Sequence, residues 1–309
     1  MDLQQELNKT SGFKNLALLA SQVVEGYISG MHKSPFHGFS AEFAEHKIYN
    51  PGESTRHIDW KLYAKTDKFY TKKYDEETNL RCHLIMDNSS SMHYPEVKDQ
   101  QLGNLNKMGY SSLAAASVMN LLKKQRDAVG LSIYSSEYEY YAPEKGSERH
   151  HNMLLDQLNQ VCSGNTGNKS TDTYKYLHEI AENIKRRSLI ILFTDMFQSD
   201  RKEDDLFEAL RHLKYNKHDV VLFHVYDGKL EVDFEFENRP TRFFDVETGE
   251  HVNLYADNVR DNYRESVRSY FEHLRVRCGQ YRIKYMPVDI RHDFNTVLTT
   301  FLLERQLFK

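Results

Sequence analysis

Three side chains that carry oxygen ligands follow one short apolar segment of the chain at alternating positions. Residues 81–86 have the pattern of a buried strand, and Asp87, Ser89 and Ser91 come directly after it. One carboxylate and two hydroxyl groups at this spacing form an all-oxygen cluster, which suits Mg²⁺ or Mn²⁺ far better than zinc or copper. Because the cluster carries a single negative charge, a divalent cation bound there would still attract another anion.

A second predicted strand also ends in a carboxylate. Residues 188–194 form an apolar segment, and Asp195 follows it directly. In open parallel sheets, ligands bind beyond the carboxyl ends of the strands, near the point where the strand order reverses. Thr171, which directly precedes a predicted helix, could reach the same edge. The sequence therefore predicts a Mg²⁺ or Mn²⁺ site with the ligands Asp87, Ser89, Ser91, Thr171 and Asp195.

Each of these residues also has an ordinary structural interpretation. Asp and Ser are common in turns, and Thr171 could serve only as a helix N-cap. The pattern Asp-x-Ser-x-Ser is therefore weak when taken alone. The second aspartate at a strand end, Asp195, is separated from the first by alternating strands and helices, and this arrangement favours a metal site.

From residue 80 onwards, short apolar strands alternate with amphipathic helices. Strands are predicted at 81–86, 128–134, 188–194, 219–226 and 281–287. Helices are predicted at 111–124, 148–161, 173–185, 204–214, 257–278 and about 295–303. This alternation predicts an α/β fold with a doubly wound, mainly parallel sheet that is covered on both faces.

The texture of the sequence divides the chain into three predicted parts. Residues 1–78 contain a helix at 12–30 and a small β-rich subdomain around a turn at 50–53. Residues 79–290 form the α/β domain, with an aromatic and acidic β-hairpin insertion near 230–254. Residues 291–309 carry a C-terminal helix that packs on this domain.

The composition argues against several classes of protein. A formal net charge of -4 gives no reason to expect nucleic acid as a partner, and a solvated face accounts for the alternating lysines and aromatic residues at 60–74. The apolar runs are much shorter than the roughly 18 to 20 residues of a membrane helix, and the chain does not begin with a signal-peptide pattern. Three cysteines without close spacing indicate reduced thiols. We therefore expect a soluble, cytoplasmic protein.

Two other classes of function stay open beside metal-dependent binding. A Mg²⁺-dependent phosphohydrolase could use Asp87 as its nucleophile, although no lysine or second carboxylate lies at a spacing that would support phosphoryl transfer. The chain has no Gly-x-Ser-x-Gly elbow and no glycine-rich phosphate loop, and these absences also argue against an enzyme. The third class is a structural scaffold with a vestigial metal site. We predict a protein that is not an enzyme.

Several segments resemble known families. The series from Asp-x-Ser-x-Ser through Thr171 to Asp195 resembles the metal-ion-dependent adhesion site of von Willebrand factor type A domains. Other segments resemble blocks of domain-of-unknown-function family 58: residues 43–53, 56–61, 64–67, 127–131 and 186–195. The resemblance runs from about residue 12 to residue 225 and does not include the insertion at 230–254. It implies a von Willebrand A-like, Rossmann-like domain.

The resemblance also implies a role for each predicted ligand. In such adhesion sites the hydroxyl groups, here those of Ser89, Ser91 and Thr171, bind the ion directly, and the aspartates act through bound waters. The open coordination position takes an Asp or Glu side chain of a partner protein. Members of the family are often encoded beside MoxR-type AAA+ ATPases, so the implied partner is such an ATPase, acting in protein assembly or remodelling.

The position of the threonine is the part of this correspondence that leaves alternatives open. Thr166 and Thr173 lie in the same loop as Thr171. Thr171 is preferred because Thr171-Asp172 followed by Leu177 is similar to the spacing in the family. The expected function is thus a non-catalytic, metal-dependent protein–protein interaction.

Overall fold

The computed structural model describes residues 16–30, 43–48, 60–74, 80–97, 100, 103–163, 173–196, 200–245 and 250–307. The contacts divide the chain into two compact units, one of residues 1–27 and 80–309 and the other of residues 28–79. Among the helices of the described ranges, none is both long enough and apolar enough to cross a membrane.

The first described helix, α1, spans Leu16–Gly30 and has one buried stripe. The stripe consists of residues spaced four apart: Leu16, Ala20 and Val24. Residues four apart lie on the same face of a helix, so this face is the one that packs. The Tyr27 and Thr299 hydroxyl oxygens lie 2.9 Å apart. The sequence groups this helix with residues 1–78, whereas these contacts join its residues up to 27 to the larger unit.

The smaller unit contains one helix and two strands. Their bounds are β1 (Phe43–Ile48), α2 (Trp60–Thr66) and β2 (Tyr70–Tyr74). The two strands pair antiparallel, where the sequence predicts a β-rich subdomain. The helix α2 is not predicted, because it is only seven residues long and rich in aromatic residues. The rings of Tyr63 and Phe69 stack at 4.4 Å just beyond its end, and the predicted turn at 50–53 lies outside the described residues.

The larger unit is built on a six-stranded sheet. Its strands are β3 (Arg81–Asp87), β4 (Ala128–Tyr134), β5 (Tyr138–Lys145), β6 (Leu189–Thr194), β7 (Asp219–Tyr226) and, after the hairpin strands β8 (Pro240–Phe244) and β9 (His251–Tyr255), β10 (Lys284–Asp289). Its helices are α3 (Lys107–Lys124), α4 (Glu148–Ser163), α5 (Thr173–Asn183), α6 (Asp200–Tyr215), α7 (Ala256–Gln280) and α8 (Asn295–Leu307). The sheet order is β10-β7-β6-β3-β4-β5. The predicted α/β fold with a doubly wound, mainly parallel sheet is confirmed.

The strand β5 is the one element of this sheet that the sequence does not predict. It pairs antiparallel with β4 at the edge of the sheet, whereas all the other neighbouring strands are parallel. Its residues are half-buried or exposed except for Ala142, and Pro143 interrupts its pattern. An edge strand of this kind lacks the continuous apolar run by which buried parallel strands are recognised.

The central strands have apolar residues that pack on both faces of the sheet. All six residues of β6 are buried. Ile85 and Ile190 belong to a core cluster on one face, together with Leu177 of α5 and Phe207 of α6. Alternate residues of a strand point to opposite faces, so Phe193 lies in a second layer. Because both faces are covered, the free edge at the carboxyl ends of the strands is where polar side chains can meet.

The strand order reverses beside β3. From β3 the chain moves to β4 on one side, whereas β6, which pairs with β3 on the other side, leads to β7 and β10. The connections that follow β3 and β6 therefore diverge, and they leave a crevice at the carboxyl ends of these two strands. This is the position at which open α/β sheets bind ligands.

The connection from β7 to α7 carries a π-helical turn, Gly228–Val232, and the β8–β9 hairpin. The hairpin lies where the sequence predicts one. Three phenylalanine rings and one tyrosine ring anchor this connection, with centroid distances of 4.5 to 5.3 Å: Phe234, Phe236, Phe243 and Tyr263. The Arg260 side chain of α7 donates hydrogen bonds to the carbonyl groups of Phe234 and Phe236. The insertion is thus packed onto the amino-terminal half of α7.

Helices α3 and α4 pack together through a buried histidine, which predicts a pH-dependent stability. The His151 Nε2 atom lies 3.1 Å from Asn120 Oδ1, and burial, aided by the nearby charge of Lys123, lowers the pKa of His151 to about 4. The unfolded chain takes up a proton near pH 6.5 but the folded protein does not, so stability falls as the pH drops from about 7 towards 4.

We expect His151→Gln to remove part of this pH dependence. In urea unfolding, the wild type should lose about 1 kcal/mol more than the variant between pH 7 and pH 5 because of this one group. The control is His251→Gln, because His251 lies on the exposed hairpin. Equal losses for the wild type and for His151→Gln would contradict the expectation.

Candidate metal centre

The first three predicted ligands come together at the end of β3. Asp87 is the last residue of the strand, and its Oδ1 atom accepts a hydrogen bond from the Ser89 backbone N–H at 3.0 Å. A short 3₁₀ turn follows, Ser90–His93, and it brings the Ser89 and Ser91 Oγ atoms to 3.0 Å from each other. Ser89 precedes this turn, but its side chain makes no capping hydrogen bond. The two hydroxyl groups therefore lie side by side.

The neighbouring strand β6 adds Thr194 and Asp195 to this cluster. Met86 pairs with Phe193 in the sheet, so the ends of β3 and β6 are adjacent. The Thr194 hydroxyl donates a hydrogen bond of 2.7 Å to Asp87 Oδ2. Thr194 is absent from the predicted ligands, although its position directly before Asp195 at a strand end could have indicated it. Asp87 is thus held through both carboxylate oxygens, and Asp195 follows at the same edge.

The predicted threonine ligand cannot be placed in the same way. Thr171 and the alternative Thr166 lie outside the described residues, and Thr173 is the first residue of α5. Of the five predicted ligands, the structure therefore brings together the four that it describes, Asp87, Ser89, Ser91 and Asp195. The threonine stays a prediction.

Asp87 and Asp195 influence each other electrostatically. Burial raises the pKa of Asp87 to about 7, and the negative charge of Asp195 contributes to the increase. The hydrogen bonds from Thr194 and Ser89 oppose this increase but do not cancel it. Two carboxylates that are close together in a buried site each disfavour the ionised form of the other. A cation between them would remove this repulsion.

A buried lysine, Lys107, lies at this site. Its Nζ atom is 2.9 Å from Asp195 Oδ2 and 2.6 Å from Glu231 Oε1, and its side chain is fully buried. Burial acts to lower the pKa of Lys107, but the charges of Asp195 and Glu231 outweigh it and raise the pKa, so the ammonium group stays charged. The expectation that no lysine accompanies the aspartates is wrong. Lys107 and Asp195 are 88 positions apart in the chain, and only the fold brings them together.

The residues of this site fit a divalent cation by donor type and by charge. One ammonium group, on Lys107, faces three carboxylates, on Asp87, Asp195 and Glu231, so the cluster carries a net charge of -2 when all are ionised. Within the described ranges, no three His, Cys, Asp or Glu side chains meet as a metal site. An ion here would therefore need the serine hydroxyl groups, which are ligands that Mg²⁺ accepts and that zinc does not favour.

Comparison with known proteins places the chain in a family. A family model described as "Protein of unknown function DUF58" matches residues 45–272. The chain belongs to this family. The resemblance found in the sequence is thereby confirmed, and the sheet order accords with the von Willebrand A-like fold that it implies.

Similar proteins of this family have been recorded in mycobacteria. Uncharacterized proteins of Mycobacterium bovis and Mycobacterium tuberculosis are each 20% identical to this chain over 185 residues. The aligned region is 60% of this chain and 56% of each relative, so the chain spans little more than half the length of the curated relatives it matches.

Solved structures with a similar chain path are only remotely related. The conserved hypothetical protein BatB from Bacteroides thetaiotaomicron aligns with a TM-score of 0.47 and 12% identity, over 74% of this chain and 98% of BatB. The PilB minor pilin from Streptococcus sanguinis aligns with a TM-score of 0.45 and 11% identity, over 78% of this chain and 64% of the pilin. Such distant similarity does not indicate a function.

Two further parallel strands in this DUF58 domain also end in aspartates that the sequence analysis does not single out. Asp227 follows β7 directly, and Asp289 is the last residue of β10. Arg291 binds both oxygens of the fully buried Asp227 carboxylate. Asp289 accepts a hydrogen bond from the Gly228 N–H, and a Cβ atom at position 228 would lie 2.2 Å from the Asp289 carboxylate. These aspartates close the edge of the sheet beside the metal centre.

A network of hydrogen bonds holds the loop that carries the serines. Asn88 donates to Glu139 Oε2 at 2.8 Å, and the His93 Nε2 atom lies 2.8 Å from Asn88 Oδ1. The Ser135 hydroxyl donates to the other oxygen of Glu139. Residues that orient metal ligands in this way commonly affect metal affinity as much as some of the ligands do. The loop after β3 is therefore fixed to the turn between β4 and β5.

A second arrangement in the sheet has the atoms of a hydrolase triad but a different role. His83 Nδ1 lies 2.7 Å from Glu144 Oε1, and His83 Nε2 lies 2.7 Å from Ser132 Oγ. Ser132 is fully buried in the middle of β4, so a substrate has no access to it. Gly130 makes room for the imidazole ring, because a Cβ atom there would lie 2.5 Å from His83 Nδ1. This buried network joins three strands and is not an active site.

Proposed function

We propose that this protein is a non-catalytic interaction module whose binding of a partner depends on Mg²⁺ or Mn²⁺. The side chains of Asp87, Ser89, Ser91 and Asp195 would hold the ion, with Thr171 as the predicted fifth ligand. The observation that carries the proposal is the pair of buried carboxylates, Asp87 and Asp195, beside two neutral hydroxyl groups at the switch point of the sheet. When bound, the ion supplies positive charge for an Asp or Glu side chain of the partner.

The burial of the site residues supports a direction of approach for the partner. Asp87 and Ser89 are buried, whereas Ser91 and His93 are partly exposed. The inner residues are held by hydrogen bonds within the sheet, so they are preorganised before any partner arrives. A partner carboxylate would reach the site from the side of Ser91.

We propose a MoxR-type AAA+ ATPase as the partner, and protein assembly or remodelling as the process. The support for this partner is the membership of the DUF58 family, together with the association implied by the resemblance of the sequence. A von Willebrand A-like domain suits such a task, since its exposed switch-point edge offers a preformed binding surface. A cytoplasmic location belongs to the same proposal.

The phosphohydrolase alternative gains a lysine from the structure but loses the nucleophile. Lys107 lies beside Asp195, as phosphoryl transfer would require of a cation. Both oxygens of Asp87 are occupied, however, by the Ser89 N–H and the Thr194 hydroxyl, and the carboxylate is buried. A nucleophile must be free to attack the substrate. Phosphate release that Asp87→Asn abolishes would favour the enzyme, and a protein that binds no divalent metal would favour the scaffold.

The proposal is tested by metal titration and by capture of the partner. We expect the wild type to bind Mn²⁺ in isothermal calorimetry and to retain a MoxR-type ATPase in a pull-down that EDTA abolishes. Ser89→Ala should weaken Mn²⁺ binding by about 10-fold, because it removes a hydroxyl ligand. Ser90→Ala is the matched control, since Ser90 lies between the two serines but is not a predicted ligand. Partner retention that EDTA does not change would contradict the proposal.

A further inference from the structure

The position of Lys107 is unfavourable for a cation unless carboxylates compensate it. The Asn106 side chain accepts a hydrogen bond of 2.7 Å from the Gly109 N–H and caps α3, so Lys107 is the first residue of the helix. The amino-terminal end of a helix carries partial positive charge, and the lysine side chain is fully buried. Its ammonium group therefore depends on its carboxylate partners, Asp195 and Glu231.

Glu231 is itself held firmly in place. Its Oε2 atom accepts a hydrogen bond of 2.7 Å from the Asp227 N–H, and its carbonyl oxygen accepts one of 2.9 Å from the Tyr263 hydroxyl. Its other carboxylate oxygen, Oε1, faces Lys107. Glu231 thus fixes the ammonium group beside Asp195, on the opposite side from the two serines and Asp87.

We propose that Lys107 is a built-in competitor of the divalent cation for the Asp195 carboxylate, and that it thereby sets the cation affinity of the site. This inference rests on the proposed function. Asp195 is the one group that both cations would share, and an ammonium group 2.9 Å from it already neutralises part of its charge. Lys107 also repels a second cation at short range in a buried site, where charges are poorly screened. Lys107 is a positioning residue for Asp195, not a metal ligand.

Two variants with opposite expected effects test the inference. Lys107→Met keeps the length of the side chain but removes its charge, so Mn²⁺ should bind about 10-fold more tightly. Glu231→Gln removes the second partner of Lys107, so the ammonium group should pair more closely with Asp195, and Mn²⁺ should bind several-fold more weakly. Lys123→Met is the matched control, because Lys123 lies on the same helix but makes an exposed ion pair with Glu148.

The outcomes separate this inference from the proposed function. The measurement is the Mn²⁺ dissociation constant from calorimetry of the full chain. If the wild type binds no Mn²⁺, the proposed function is wrong and the inference fails with it. If the wild type binds Mn²⁺ but Lys107→Met binds it no more tightly, the inference is wrong and the proposed function stands. If Lys107→Met does not fold, Glu231→Gln decides, and an affinity equal to that of the wild type would overturn the inference.

Discussion

Asp87→Asn is expected to weaken Mn²⁺ binding by roughly 100-fold and to leave the metal-free protein at least as stable as the wild type. The loss of affinity follows because the variant removes one of the two carboxylates that attract the cation. The stability is kept because an asparagine oxygen can still accept the hydrogen bond from Thr194. A neutral amide also costs less to bury beside Asp195 than a second carboxylate does.

This prediction is checked with Mn²⁺ calorimetry and with urea unfolding in the presence of EDTA. Asp261→Asn is the matched control, because it removes an exposed carboxylate from the same unit and leaves the site unchanged. An Asp87→Asn variant that binds Mn²⁺ like the wild type would exclude Asp87 from the site. A variant that unfolds more easily in EDTA would mean that the Asp87 charge stabilises the fold, contrary to the repulsion argued here.

Glu144→Ala is expected to destabilise the folded protein by about 3 kcal/mol. The substitution leaves the Nδ1 atom of His83 without its carboxylate partner in a site where both side chains are almost completely buried. Burial acts to raise the pKa of Glu144, but the hydrogen bond with His83 outweighs it, so the pKa is lowered and the carboxylate is ionised in the folded protein. Removal of one member of a buried, hydrogen-bonded pair costs far more than removal of an exposed one.

The measurement is the free energy of unfolding in urea at pH 7. Glu148→Ala is the control, because Glu148 makes an exposed ion pair with Lys123, and the urea midpoint should not change. Under conditions in which Glu144→Ala is folded, its Mn²⁺ affinity should equal that of the wild type, since His83 lies four residues before Asp87 on β3. A variant as stable as the wild type would show that this network contributes little to the fold.

Much of the fold could be predicted because the central strands are buried on both faces. Runs such as those of β6 and β7 are continuously apolar, so they differ clearly from the amphipathic helices around them. The edge strand β5 and the short helix α2 lack such a pattern, since neither has a continuous apolar run. Their conformations depend on neighbours that are specified elsewhere in the chain.

The sequence by itself determined the local part of the candidate site. Asp87, Ser89 and Ser91 are close in the chain, so a strand end and one short turn suffice to bring them together. Asp195 could be added because the carboxyl ends of parallel strands share one edge of a sheet. These inferences need only the period of a strand and the position of its end.

The tertiary structure alone decided which charges surround that cluster. Lys107 meets Asp195 across 88 positions of the chain and Glu231 across 124, and Thr194 meets Asp87 across 107. These contacts arise from the pairing of β3 with β6 and from the return of the β7–α7 connection to the sheet edge. Local periodicity reports only which side of its own element a residue occupies, so it carries no record of such long-range pairings.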